Sequence, residues 1–174
     1  MIILEDTRNQ LGKHDLKRLY FEQNGIEIRR TKLYVGDYTL PTNQSICIDT
    51  KNSIQELIGD IQTDHERFRN ELLRASEAGI KLYILVENKG TYLNSKKTIW
   101  NENVTCIQDL FKWKNPRAFI FRHGQQLYPN CAKGEWIAKC CITMEKKYGC
   151  KFVFCTPEDA GKRVIEILTG GSDV

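Results

Sequence analysis

The sequence predicts an α/β fold with one central mixed β-sheet flanked by helices on both faces. Three observations carry that expectation. Strand-like and helix-like periodicities alternate from one end of the chain to the other. The runs "MIIL" and "IKLYILVEN" are apolar almost throughout, as strands covered on both faces are. Finally, 174 residues at 41% hydrophobic content suit a single domain with a core of ordinary size.

"MIIL" reads as the first strand, and "HDLKRLYFEQNG" then sets Leu16, Leu19 and Tyr20 on one helical face, with Gly25 closing the helix. "IEIRRTKLYVGDYTL" and "SICIDTK" are rich in β-branched and aromatic residues; with "PTNQ" between them they predict a β-hairpin. Ser53 and Glu56 form a capping-box signal for a helix carrying Ile54, Leu57, Ile58 and Ile61 on one stripe. Thr63 and Glu66 repeat the signal for a second helix that buries Phe68, Leu72 and Ala75.

The polar stretch 89–103 reads as a loop, followed by a short helix near "CIQDLFKWK" and a strand at "RAFIFRH". Ile137, Cys140, Cys141, Met144 and Tyr148 mark a helix stripe, "KFVFC" a strand, and "TPEDAGKRVIEIL" a last helix with Thr156 as N-cap and Pro157 in its first turn. The expected organisation is one domain over 1–170, with an insertion near 90–130 and a frayed tail at 171–174.

A net charge of +4 permits nucleic-acid binding without arguing for it, so local charge must carry that argument. Seven cysteines are an odd number, and the N-terminus has no secretory leader, so an intracellular, reducing location is expected. Zinc is the competing reading of the cysteines. It lacks a C-x-x-C pair, and His14, His65 and His123 are scattered, so buried thiols are the stronger one. No apolar run reaches the roughly 20 residues of a membrane span.

The chemistry concentrates in "VGDYTLPTNQSICIDTK". On an extended strand Cys47, Asp49 and Lys51 share one face, and Ile46 and Ile48 the other. A loop with an odd number of residues, or an equivalent bulge, sets Asp37 opposite Asp49, and Gly36 suits such a bend. Two adjacent carboxylates favour a hard cation, Mg²⁺ or Mn²⁺, and an amine beside that ion can orient water for phosphodiester hydrolysis. An edge strand that merely carries charges is the competing reading of D-x-K.

Taken with "ILEDTRN", "VGDYTL", "IDTK" and "LVEN", the sequence resembles the nuclease domain of XPF-family structure-specific endonucleases, a branch of the PD-(D/E)XK superfamily. The resemblance implies a restriction-endonuclease-like fold. It also implies a catalytic set of Asp6, Arg8, Asp37, Asp49 and Lys51, with Asp6, Asp37 and Asp49 as metal ligands. Asp49 stands where the family has glutamate and keeps the metal ligand; the sequence departs further at Asn9, Thr50 and Gln55, where an acid, an arginine and an aspartate are expected. Glu22 on the first helix is a candidate replacement acid; Glu5, facing away from Asp6, is not.

The family cuts branched, flap and junction DNA as dimers of nuclease domains. The resemblance therefore implies DNA as partner and a homodimer or heteromeric partner; the length, too short for the family's paired helix-hairpin-helix module, leads us to expect a compact stand-alone variant of a kind common in phage or prophage. Candidate DNA contacts are Arg29, Arg30 and Lys32, then Arg67, Arg69 and Arg74, then Lys96 and Lys97 with Trp100 nearby. Trp136 and the cysteine-bearing helix are a candidate dimer surface, with core packing as the alternative. A nuclease-like module with weakened chemistry, binding DNA or pairing with an active partner, is the competing function.

Overall fold

The computed structural model describes residues 1–10, 12, 15–88, 91, 92, 99, 100 and 103–170, giving the backbone at 91, 92, 99 and 100. Its centre is a six-stranded mixed sheet. In chain order the elements start with β1 (Ile2–Asp6), α1 (Asp15–Gln23), β2 (Glu27–Thr31), β3 (Tyr38–Leu40) and β4 (Asn43–Lys51). They continue through α2 (Ile54–Gln62), α3 (His65–Glu77) and β5 (Lys81–Glu87), and close with α5 (Gly134–Tyr148), β10 (Lys151–Cys155) and α6 (Ala160–Leu168). Between β5 and α5 lie two short hairpins, β6 (Thr91–Tyr92) with β7 (Ile99–Trp100) and β8 (Phe121–Arg122) with β9 (Gln125–Gln126). The short helix α4 (Ile107–Leu110) and a 3₁₀ turn (Pro116–Phe119) separate them.

The strand order is β10-β5-β4-β3-β1-β2. β4, β5 and β10 run parallel, β3 is antiparallel to both β4 and β1, and β2 is parallel to β1. Alternation along the strands divides the apolar side chains between two cores. Ile3, Tyr38, Ile48, Leu85 and Val153 face α1 and α6, while Cys47, Leu82, Ile84, Val86 and Phe154 face α2, α3 and α5. Fully burying such a side chain contributes about 1.5–3 kcal/mol, so the two packed faces fix the register of the sheet.

Several sequence expectations need correction. The run 26–40 is not one strand. It pairs with β1 as β2, then bends at 34–37, and only Tyr38–Leu40 forms the hairpin with β4. In α1 the buried residues are Lys17 and Phe21, and Leu16 and Leu19 are exposed, because Lys17 forms a buried ion pair with Glu87 of β5. Thr63 closes α2 instead of starting α3, whose N-cap is Asp64. "RAFIFRH" splits into the 3₁₀ turn and β8, and the 89–103 stretch contains β6 and β7. α6 begins at Ala160; Thr156 still accepts from the Asp159 N–H, but over a turn that precedes the helix.

Ser53 caps α2 as expected, its hydroxyl accepting from Glu56 N at 3.1 Å, but the Glu56 carboxylate reaches one residue further back and accepts from Asn52 N at 2.7 Å. Cys47, Cys141, Cys150 and Cys155 are buried free thiols, whereas Cys106 is exposed. Burial pushes Cys150 and Cys155 up to about 12, which leaves them unreactive at neutral pH. Among the described residues no helix is long and apolar enough to cross a membrane. Residues 171–174 lie outside the described residues.

Candidate active site

β4 delivers Asp49 and Lys51 to the α2/α3 side of the sheet at its C-terminal end. The β3–β4 pairing runs Tyr38 with Ile48 and Thr39 with Cys47, then shifts at Leu40, which pairs with Asn43. That bulge carries Asp37 opposite Asp49, and the Asp37 N–H donates to Ile48 O at 2.6 Å. Gly36 makes the approach possible. Its φ is +71°, and a Cβ there would stand 2.8 Å from Ile48 O. No other residue fits this backbone without moving Asp37.

Thr50 secures the acid so placed: its N–H and hydroxyl both donate to Asp37 Oδ2, at 2.9 and 2.5 Å. Lys51 Nζ sits 2.7 Å from Asp49 Oδ2 and 2.7 Å from Asp60 Oδ2, over the Phe68 ring. Arg67 donates to Asp60 Oδ1 at 3.0 Å, extending the charge chain to solvent. Burial, reinforced by the charges of Asp37 and Glu71, outweighs Lys51 and pushes Asp49 up to about 8. Burial likewise raises Asp37 against the Thr50 hydrogen bonds. Burial opposes the charge on Lys51, but Asp49 and Asp60 override it and hold the ammonium above its ordinary range.

Arg8 lies across the cleft. The Asp6 carboxylate accepts from Arg8 N, Nε and an Nη, and from Leu33 N, at 2.7–2.9 Å. Both its oxygens are therefore filled, and these bonds hold Asp6 below the usual carboxylate range although burial pulls the other way. In this arrangement Asp6, the third expected metal ligand, anchors Arg8, whose side chain is 58% exposed.

These groups line a cleft of about 330 Å³ in which six carboxylates (Asp6, Asp37, Asp49, Glu56, Asp60 and Glu71) face four cations (Arg8, Lys51, Arg67 and Arg74). Among the described residues no three His, Cys, Asp or Glu side chains close around one point to cage an ion. The donor set is nevertheless a hard one. Asp37 and Asp49 offer carboxylate oxygens, and the buried Asp49 Oδ2 is held by the Lys51 ammonium at 2.7 Å. Mg²⁺ typically takes one or two carboxylates and completes its shell with water and substrate phosphate. Asp37 and Asp49 fit that pattern.

The ERCC4 domain family model matches residues 6–168. The chain belongs to the ERCC4 domain family. Its fold is that of the XPF nuclease domain. XPF from Aeropyrum pernix superposes with a TM-score of 0.61 at 13% identity, over 99% of this chain and 65% of that one. XPF from Aeropyrum pernix in its complex with DNA gives a TM-score of 0.59 at 14% identity, over 99% of this chain and 68% of that one. The chain thus spans about 65% of the length of the first of these structures. No curated protein matches.

Within this ERCC4 domain the three departures have visible consequences. Asn9 turns away from the cleft acids, donating to Tyr38 Oη at 3.2 Å and Glu5 Oε1 at 3.4 Å. Thr50 holds Asp37, and Gln55 donates to Asn115 Oδ1 at 2.8 Å in a neighbouring groove. Glu22 is exposed and is not among the residues lining the cleft, so it is not the replacement acid. Asp60 and Glu71 do line the cleft; Glu71 accepts from Gly36 N at 3.0 Å.

The basic candidates divide. Arg67 and Arg74 line the cleft, whereas Arg69 lies on the opposite side of α3 near Met144 and Tyr148. Arg30 is spent internally, on Glu5 at 3.2 Å and on the carbonyls of Asp6, Thr7 and Asn9. Arg29 pairs with Glu27 on the sheet edge, where Lys32 is exposed. Lys96, Lys97 and the Trp100 side chain lie outside the described residues. Trp136 is 40% exposed while Ile137, Ala138 and Cys141 of the same helix are core.

Asp60, Glu71 and Glu56 escaped the sequence reading, although a signal existed. Glu56 and Asp60 are spaced i, i+4 directly after D-x-K, and Arg67, Glu71 and Arg74 repeat one face of the next helix.

Proposed function

We propose that this ERCC4 domain is a Mg²⁺- or Mn²⁺-dependent endonuclease that hydrolyses phosphodiester bonds in branched, flap or junction DNA. The observation that carries the reading is the convergence of Asp37, Asp49 and Lys51 in one cleft, with Asp37 fixed by Thr50 and Lys51 by Asp60. Asp37 and Asp49 would hold the divalent ion, which when bound would supply Lewis-acid stabilisation of the charge that develops on the attacked phosphate.

The chain's own residues do the positioning. Lys51 stays protonated, so it acts as a fixed cation and donor that orients the attacking water, not as the base. Arg8, braced by Asp6, presents its guanidinium to a phosphate, and Arg67 and Arg74 continue the cationic rim. The DNA-bound state of the similar Aeropyrum pernix XPF supports DNA as the polymer.

One observation favours a second reading, a module with weakened chemistry that binds DNA or pairs with an active homodimer or heteromeric partner. The family's acid is missing at Asn9, and the side chain there turns into the core. Labelled flap, splayed-arm, Holliday-junction and blunt duplex DNA, each with Mg²⁺, Mn²⁺ or chelator, separate the two. Metal-dependent cutting of the branched substrates is the expected result. Binding without cutting selects the second reading.

A further inference from the structure

The segment 111–133 carries Lys112, Lys114, Arg117, Arg122 and Lys133, and no acid at all. Every one of those cations is exposed, in a protein whose overall charge is only +4. Aromatic and apolar side chains stand among them at the surface: Phe111 at 45%, Phe119 at 47%, Phe121 at 61% and Tyr128 at 42% exposure. Solvent exposure of this many large rings is costly, and it marks a surface that has a partner.

The segment is bolted to the cleft's own helix. Asn115, buried, accepts from Gln55 Nε2 at 2.8 Å and from Arg117 N at 3.0 Å, and donates to Ala132 O at 2.9 Å. Gln55 stands in the first turn of α2, beside Glu56 of the cleft. Between α2 and the segment runs a groove of about 330 Å³, lined by Gln55, Ile58, Gln62, Arg117, Tyr128 and Ala132. The Arg117 guanidinium lies 5.4 Å from the centre of the Tyr128 ring. Gln55 Oε1, at the groove, is a buried acceptor without a hydrogen bond.

We propose that this groove, together with the basic and aromatic surface of the 111–133 segment beside it, binds an unpaired DNA strand. Tyr128 with Arg117 stacks a base, Gln55 Oε1 accepts from a base N–H, and Lys114 and Arg122 meet phosphates. Exposed rings suit unpaired bases, whose faces a duplex hides, and the absence of acid matches a polyanion. The proposal rests on the reading of the chain as a DNA enzyme and deepens it: the groove would hold the single-stranded arm of a junction while the cleft, which shares α2 with it, meets the phosphodiester to be cut.

The test is fluorescence anisotropy in chelator, with a labelled dT oligonucleotide and a blunt duplex. Losing one stacked base is worth roughly 5- to 100-fold in affinity. The Arg117→Ala/Tyr128→Ala double variant should therefore lower the ratio of single-strand to duplex affinity about tenfold or more. Tyr128→Phe, which keeps the ring, should restore it to within about twofold. Arg122→Gln and Lys114→Gln should each reduce the salt slope by about 0.7. Both altered side chains of the double variant are exposed, and an unchanged unfolding midpoint verifies its fold.

Equal oligonucleotide affinity in wild type and double variant overturns the proposal, and so does an equal loss on both DNAs. Because the readout needs no cleavage, a protein that shows the Tyr128-dependent preference but never cuts would end the nuclease reading alone. A protein that cuts branched DNA with the preference unaffected by the double variant would end this proposal alone.

Discussion

Gly36→Ala should uncouple Asp37 from Asp49. At φ +71° an L-residue costs about 1–2 kcal/mol more than glycine. The added Cβ would also stand 2.8 Å from Ile48 O and 3.1 Å from Ile48 C, both backbone atoms of a central strand that cannot rotate away. Relieving such an overlap costs about 1–3 kcal/mol. A total of about 3 kcal/mol should lower the thermal midpoint by roughly 6–12 °C in a domain of this size. Gly59→Ala is the internal control. It lies within α2 with nothing within 4 Å of its would-be Cβ, so alanine should stabilise by about 0.5–1 kcal/mol. Urea titration measures both variants, and DNA cleavage measures the displaced Asp37, with a large loss expected for Gly36→Ala. A Gly36→Ala protein within 1 kcal/mol of wild type and fully active would refute the geometric argument.

Asp60→Asn leaves buried Lys51 with one counter-charge in place of two, and should cost about 3 kcal/mol in urea titration together with most of the activity. Arg30→Ala strips Glu5 of one of its two arginines and three carbonyls of a donor; it should cost about 2 kcal/mol and change duplex affinity less than about twofold by anisotropy. The folded Asp49 near 8 lies above its unfolded value near 3.9, so between those limits the folded state holds the extra proton. The contribution of Asp49 to metal-free stability is thus complete below about pH 4 and is lost as pH rises through 8, a slope that pH-dependent urea titration should find in wild type and lose in Asp49→Asn. A cation taken up by Asp37 and Asp49 must displace that proton, so calorimetric Mg²⁺ affinity should climb with pH up to about 8.

What the sequence revealed and what it hid follow from the range of the interactions involved. Alternation is local, so the shared face of Cys47, Asp49 and Lys51 was legible, as was the need for an odd loop or bulge to bring Asp37 round. The split of 26–40 was not, because it depends on Leu33 N donating to Asp6, 27 positions earlier in the chain, and on the bend at Gly36. Periodicity put Leu16 and Leu19 inward. It could not see that Lys17 reaches Glu87, 70 positions away. Arg30 read as a DNA contact for the same reason: a basic strand edge looks free until a buried carboxylate such as Glu5 is found beneath it. Asp60 and Glu71 sat in plain helical spacing, yet their convergence on Lys51 and Gly36 requires α2 and α3 to be folded against the sheet.

The most direct test of the central claim is single-turnover cleavage of a labelled splayed-arm DNA by wild type, Asp37→Ala, Asp49→Ala and Lys51→Ala, each with Mg²⁺ and with chelator. Cutting by wild type that requires the metal, and that falls at least a hundredfold in every variant while the proteins remain folded, is the predicted result. Cutting that survives Asp49→Ala would contradict it and place the chemistry elsewhere.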